Sequence, residues 1–204
     1  MKIISTPCGI LMANMHLVIN ESGQAVVIDP IDATVLSQLI QEHTLKVCAI
    51  FITHAHYDHI IDFDKIQSLT GAPSYIISND HPFLSDPQKN VSAWLSCPTS
   101  YPSCTNLLSD GNLVEIAGFS IRTLHTPGHT PGSACFLIQD HIFTGDTVMT
   151  DGIGRCDLVG GDPVQMLSSL QRFYTLPPST RVYPGHGQNT TISAIQSMIR
   201  YYIK

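Results

Sequence analysis

Residues 52–59 read Ile52-Thr53-His54-Ala55-His56-Tyr57-Asp58-His59, directly after the apolar run Val47-Cys48-Ala49-Ile50-Phe51. The run and Ile52 have the length and composition of a buried central strand. In extended backbone, residues two apart face the same side, so His54 and His56 converge on one point. With a helix beginning near Asp58, the chain turns there, and Asp58 and His59 face a second point close by. Clustered imidazolium ions repel, and buried imidazoles need partners. A divalent cation is such a partner. Strand ends are also where α/β proteins carry function, because the scaffold is rigid and the loop is free.

Three more donors sit at similar junctions. His129 lies in the Pro/Gly turn Thr126-Pro127-Gly128-His129-Thr130-Pro131-Gly132, after a strand over 119–124. Asp146 follows Ile142-Phe143-Thr144-Gly145, and His186 lies in Tyr183-Pro184-Gly185-His186-Gly187. Each stands beside a glycine where the backbone must bend. One such donor reads as an ordinary loop or cap residue; donors at four strand ends of one small chain are hard to ascribe to packing.

Outward from these motifs, short strands alternate with helical patterns. The pattern predicts strands over 15–20 and 25–29, joined by a turn at Glu21-Ser22-Gly23, and further strands over 74–78, 112–116, 119–124, 134–138, 141–144 and 180–183. It predicts a helix capped by Asp32 and one whose face is Ile60, Phe63, Ile66 and Leu69, ending at Gly71. Another starts at Asp162-Pro163 with the face Met166, Leu167, Leu170 and Phe173, and a terminal one shows Ile192, Ile195, Ile199 and Tyr202. Residues 79–111 are rich in Asn, Asp, Pro and Ser and read as a long loop with a short helix near 91–95; loops of this length tend to be functional. The hairpins require that part of the sheet be antiparallel. No linker or repeat divides residues 1–204, which read as one α/β domain.

Of 204 residues, 43% are apolar and 13% charged, enough for a sizeable core and unlike a disordered chain. The net charge is −6 and the ten Lys and Arg form no stripe, which disfavours a nucleic-acid partner. No apolar run approaches the roughly 20 residues that span a bilayer, and the start Met1-Lys2-Ile3-Ile4 lacks a secretory apolar stretch, so no membrane partner is expected. Six cysteines without a C-x-x-C pair read as reduced thiols in a cytoplasmic protein, with Cys97 and Cys104 the only near pair.

Taken together and in order, H-A-H-Y-D-H, T-P-G-H-T-P-G, T-G-D and P-G-H-G closely resemble the metallo-β-lactamase fold superfamily. Within it, the chain resembles short glyoxalase II-like hydroxyacylglutathione hydrolases that lack the usual C-terminal helical domain; residues 152–162, with Gly152-Ile153-Gly154-Arg155-Cys156-Asp157 at their head, and residues 86–92 carry that likeness. The resemblance implies an α/β fold, a four-layer αβ/βα sandwich of mixed sheets with metals at one edge. It implies that His54, His56 and His129 hold one metal, Asp58, His59 and His186 a second, and that Asp146 bridges them. Two divalent ions are implied, zinc with iron or manganese as alternatives.

Two such ions about 3.5 Å apart can share a water and lower its pKa from about 15.7 toward 7. Asp58 would then act as the catalytic carboxylate, orienting that water or moving its proton. A thiolate, with an acid of pKa about 8.5, leaves without prior protonation, which favours thioesters over lactams though not over lactones. The resemblance implies a small-molecule thioester such as S-D-lactoylglutathione. A persulfide dioxygenase with one iron, a lactonase or other esterase, and a metal-binding protein without turnover are the competing readings. Arg155 is the candidate anchor for a substrate anion. Thr53 and Thr126 are candidates for orienting the imidazoles. Trp94, Tyr101 and Phe83 either line a substrate pocket or pack the long loop. His16, His43, His81, His125 and His141 lie outside the ligand pattern.

Overall fold

The computed structural model describes residues 1–203. Its first sheet runs in the order β1 (Lys2–Cys8), β2 (Ala13–Ile19), β3 (Gln24–Ile28), β4 (Lys46–Phe51), β5 (Ser74–Ile77) and β6 (Asn106–Leu108). The first three strands form an antiparallel meander, and β3 through β6 are parallel. The second sheet runs β14 (Thr190–Thr191), β13 (Arg181–Pro184), β10 (His141–Gly145), β9 (Ala134–Ile138), β8 (Phe119–His125) and β7 (Leu113–Ile116). Only β10 and β13 pair in parallel there. A two-stranded ribbon, β11 (Val148–Met149) with β12 (Gly152–Ile153), stands apart.

Strand alternation decides the layers. In β3, Ala25 and Val27 join a core on the helix side of the first sheet, while Val26 and Ile28 face the second sheet. They meet Phe119, Ile121, Phe136 and Phe143 there, and Phe51 packs edge-on against Phe136. Strands buried on both faces are mostly apolar on both, as β3 is, while β2 buries Asn14 and His16 by bonding them to the Pro184 carbonyl. Outside the first sheet lie α1 (Ala33–His43) and α3 (Phe63–Thr70), which contribute Leu36, Phe63 and Ile66. Outside the second lie α5 (Pro163–Gln171) and α6 (Ile192–Ile199), which contribute Met166, Leu170, Ile192, Ile195 and Ile199. The order helix, sheet, sheet, helix is the expected four-layer sandwich.

The helix starts follow the sequence signals. Asp32 accepts from the Thr34 and Val35 amides, and Asp162 from those of Val164 and Gln165, with Pro163 in the first turn. Gly71 ends α3 in the left-handed conformation. The structure corrects the reading elsewhere. The run 60–69 is two helices, α2 (Tyr57–Ile60) and α3, and Leu69 is exposed. Leu167 and Tyr202 are exposed too, outside the faces drawn for them. Strand β1 was not anticipated. Residues 91–95 form successive turns rather than a helix, because Val91 and Ser96 take positive φ. The long segment instead opens with α4 (His81–Leu84) and ends in β6. Its middle is tied down by Asn90, whose Nδ2 donates to the Leu84 and Thr99 carbonyls while its own carbonyl accepts from the Tyr57 amide at 2.8 Å. All six cysteines, Cys97 and Cys104 included, are free thiols. Among the described residues, no helix is long and apolar enough to cross a membrane.

Candidate metal centre

β4 ends at Phe51, and the extended turn after it delivers His54 and His56 before α2 starts at Tyr57 and carries Asp58 and His59. His129 arrives on the turn after β8, Asp146 immediately after β10, and His186 after β13. These elements bring all seven expected residues to one edge of the sandwich. One donor atom each from His54, His56 and His129 lie within 4.8 Å of one another, and the same holds for His54, His59 and Asp146 and for Asp58, His59 and His186. Asp146 stands between the groups: its Oδ1 lies 3.3 Å from His59 Nε2, and its Oδ2 lies 3.6 Å from His129 Nε2 and 3.7 Å from His186 Nε2. Asp58 Oδ2 accepts from His186 Nε2 at 3.2 Å.

The backs of three imidazoles are occupied. His59 Nδ1 donates to Asp29 Oδ2 at 2.8 Å, His129 Nδ1 to the Arg155 carbonyl at 2.7 Å, and His54 Nδ1 faces Thr53 Oγ1 at 3.2 Å. A proton on each Nδ1 leaves the Nε2 lone pair pointing into the cluster, the arrangement that orients histidine ligands. There, His54 Nε2, His59 Nε2 and Asp146 Oδ1 are buried without a hydrogen-bond partner, and His56 turns its Nδ1 toward His129 Nε2 at 2.8 Å. Buried polar atoms normally have one, and leaving one without costs about 1–3 kcal/mol. A pair of cations fits these donors, and their chemistry, nitrogen and oxygen without thiolate, suits zinc, iron or manganese.

The electrostatics agree. Burial, with the neighbouring histidines, pushes His54 well below its ordinary value and His56 down to about 3, so both are neutral imidazoles. Burial also acts against charge on His59, but Asp146, Asp58 and Asp29 outweigh it and hold that ring well above its ordinary value. Burial similarly opposes the charge on Asp146 and Asp58, and His59 more than offsets it, so both stay carboxylates. The pocket therefore demands positive charge where His59 meets three aspartates: a second proton on His59 carries it in the metal-free chain, and a cation bound there would carry it instead and free the Nε2 lone pair.

Sequence reasoning missed two residues that hold this arrangement. Asp29, in the left-handed conformation at the end of β3, accepts from the Thr53 amide and hydroxyl as well as from His59. Asp80, buried just after β5, accepts from the Ala55 amide at 3.0 Å, Thr130 Oγ1 at 2.7 Å and the Gly132 amide at 2.6 Å, and so ties the His54–His56 turn to the His129 turn. Their only signal is an aspartate at a strand end. Thr53 does support His54, but Thr126 pairs with Thr147 and touches no ligand. His16 is buried outside the cluster and donates to the Pro184 carbonyl, and His125 faces the Pro131 carbonyl. His43 ends α1, and His141 opens β10 beside its hairpin turn.

A cleft of about 490 Å³ opens onto the cluster, with His56, Asp58, His129, Asp146 and His186 among its lining residues. Trp94 borders it, whereas Phe83 and Tyr101 are buried beneath the long segment. Arg155 also borders it, but its guanidinium donates to both oxygens of Asp157 at 2.7 Å.

With this fold and this donor set, the family follows: residues 8–186 match the family model of the metallo-beta-lactamase superfamily, and the chain belongs to it. It is 35% identical to the probable metallo-hydrolase YqgX of Bacillus subtilis over 94% of this chain and 93% of that one. It is also 35% identical to the probable polyketide biosynthesis zinc-dependent hydrolase BaeB of Bacillus velezensis, over 79% and 67% of the two. Among solved structures it is similar to the B3 metallo-beta-lactamase BLEG-1, at TM-score 0.92 and 33% identity over 96% and 97% of the chains. TTHA1623 in a di-iron-bound form aligns at TM-score 0.85 and 34% identity over 96% and 98%. ETHE1 from Myxococcus xanthus aligns at 0.78 and 30% over 95% and 80%.

Proposed function

We propose that this chain is a dinuclear metal-dependent hydrolase of thioesters, of the class that includes S-D-lactoylglutathione. The observation that carries the metal dependence is the set of buried, unpartnered donor atoms of His54, His59 and Asp146, gathered beside the facing His56 Nδ1 and His129 Nε2. In this reading His54, His56 and His129 hold one ion, Asp58, His59 and His186 the other, and Asp146 both. The zinc-dependent and di-iron relatives support zinc or iron as the metal. Bound there, such ions supply an acidified water and a Lewis acid for a carbonyl oxygen.

The chain's own residues do the rest. Asp58, held as a carboxylate and bordering the cleft, accepts a hydrogen bond from the attacking water and takes up its proton. Asp29 and the Arg155 carbonyl keep the His59 and His129 rings turned toward the centre. The apolar cleft walls hold bulk water back. An amine leaves only with a proton, whereas a thiol with a pKa of about 8.5 leaves as its anion, and this favours the thioester. Likeness to BLEG-1 supports β-lactam hydrolysis as the second reading.

The test is thiol release from S-D-lactoylglutathione and simpler thioesters, run beside a chromogenic β-lactam, a lactone, and oxygen uptake with glutathione persulfide. Thiol release is expected, and His56→Ala or Asp146→Ala is expected to cut it by at least about 10²-fold and lower bound metal. Turnover of the lactam or lactone alone, or oxygen uptake with a single iron per chain, would overturn the proposal.

A further inference from the structure

The walls of the cleft differ from its floor. One wall comes from two segments distant in sequence. The tip of the β1–β2 hairpin, Gly9-Ile10-Leu11-Met12, exposes three consecutive large apolar side chains: Ile10 at 61%, Leu11 at 50% and Met12 at 60%. Single exposed apolar residues are ordinary, but a contiguous run at the mouth of a cleft marks a binding surface. The tip is ordered, with Met12 in the left-handed conformation and its amide donating to the Gly9 carbonyl. Leu11 from this tip reaches the cleft, as do Val91, Trp94 and Leu95 from the long segment, and the Trp94 ring is 58% exposed. Met149, Ile153 and Leu158 complete the apolar lining. Arg155, on the lining, is held by Asp157 along its Nε–Nη2 edge, and the rest of this upper lining is apolar.

We infer that the cleft selects its thioester by an apolar acyl chain of several methylenes, laid along the lining that Leu11, Trp94, Met149 and Ile153 share, rather than by the polar thiol that carries it. The inference rests on the thioester reading above. The acyl side is assigned because thiols that carry acyl groups in water are polar, so the apolar arm of such an ester is its acyl chain. Each methylene buried against the lining adds transfer free energy, and the exposed Trp94 on the rim supplies surface that buries it.

The experiment is kcat/KM of the metal-loaded full chain on N-acetylcysteamine thioesters of acetyl, butyryl, hexanoyl and octanoyl groups, beside S-D-lactoylglutathione. A rise of two- to fourfold per methylene is expected, continuing until the chain outruns the walls. Trp94→Ala and Leu11→Ser are expected to flatten that slope. Leu107→Ser, an exposed apolar position on β6 away from the cleft, is expected to leave it unchanged. Turnover at a flat rate across the series, or a clear preference for S-D-lactoylglutathione over octanoyl, would overturn the inference while leaving thioester hydrolysis standing. So would a slope that appears only when the alkyl part of the thiol is lengthened. No hydrolysis of any thioester would remove both.

Discussion

Gly185 has no side chain because Asp146 and His59 occupy its place. A Cβ there would strike Asp146 Oδ1 and come within 2.6 Å of His59 Cε1. The backbone at this point also donates from Gly185 to the Gly145 carbonyl at 2.8 Å and accepts from the Asn14 amide at 2.7 Å, so it cannot retreat without losing bonds to both sheets. Gly185→Ala is therefore expected to push Asp146 from its central position and lower metal affinity by about 10- to 100-fold, with a stability cost of about 1–3 kcal/mol. Isothermal titration of the metal-stripped protein measures the first, denaturant titration the second. At this scale the sequence is most legible where a donor stands beside a glycine, because the pairing of a ligand with a close backbone approach leaves both residues visible in one motif. Asp29 and Asp80 escaped because their partners, His59 and Gly132, lie 30 and 52 positions away and share no motif with them.

Among the elements, the turns that carry the histidines are held by a neighbouring segment rather than by their own strands. Asp80, at the end of β5, bonds to the turn after β4 and to the turn after β8. Removing its carboxylate leaves the buried Ala55 and Gly132 amides without partners, at about 1–3 kcal/mol each. Asp80→Ala is expected to destabilise the metal-free chain by about 3 kcal/mol and to weaken the His54–His56–His129 group more than the Asp58–His59–His186 group. Denaturant unfolding checks the first, and the absorption bands of the cobalt-substituted protein resolve the second. Strands with continuous apolar runs, Ala25–Ile28 of β3 and Val47–Phe51 of β4, were readable because most of their side chains are buried on both faces. Strand β1 was not, since Lys2-Ile3-Ile4-Ser5-Thr6-Pro7-Cys8 is a half-buried edge whose Ser, Thr and Pro hide its pairing with β2. The segment 79–111 resisted for a different reason: its shape comes from side-chain bonds of Asn90, Ser92 and Thr99 to backbone, which no periodicity records.

On the scale of the whole molecule, the ligands divide between the halves. His54, His56, Asp58 and His59 belong to the first sheet and its connections, and His129, Asp146 and His186 to the second. Ions held by these side chains would therefore bridge the two sheets at the edge of their shared core. Ligands that bind only the folded state stabilise it by mass action, about 4 kcal/mol at a thousandfold excess over Kd. Chelation is expected to lower the melting temperature by roughly 10 °C, read by calorimetry and restored by adding zinc, since about 1 kcal/mol shifts a domain of this size by 2–4 °C. The most direct measurement is an anomalous difference map from crystals grown with zinc. Two peaks about 3.5 Å apart are expected, one among His54, His56 and His129, the other among Asp58, His59 and His186, with Asp146 touching both. Strong zinc peaks elsewhere and none among these seven side chains would contradict it.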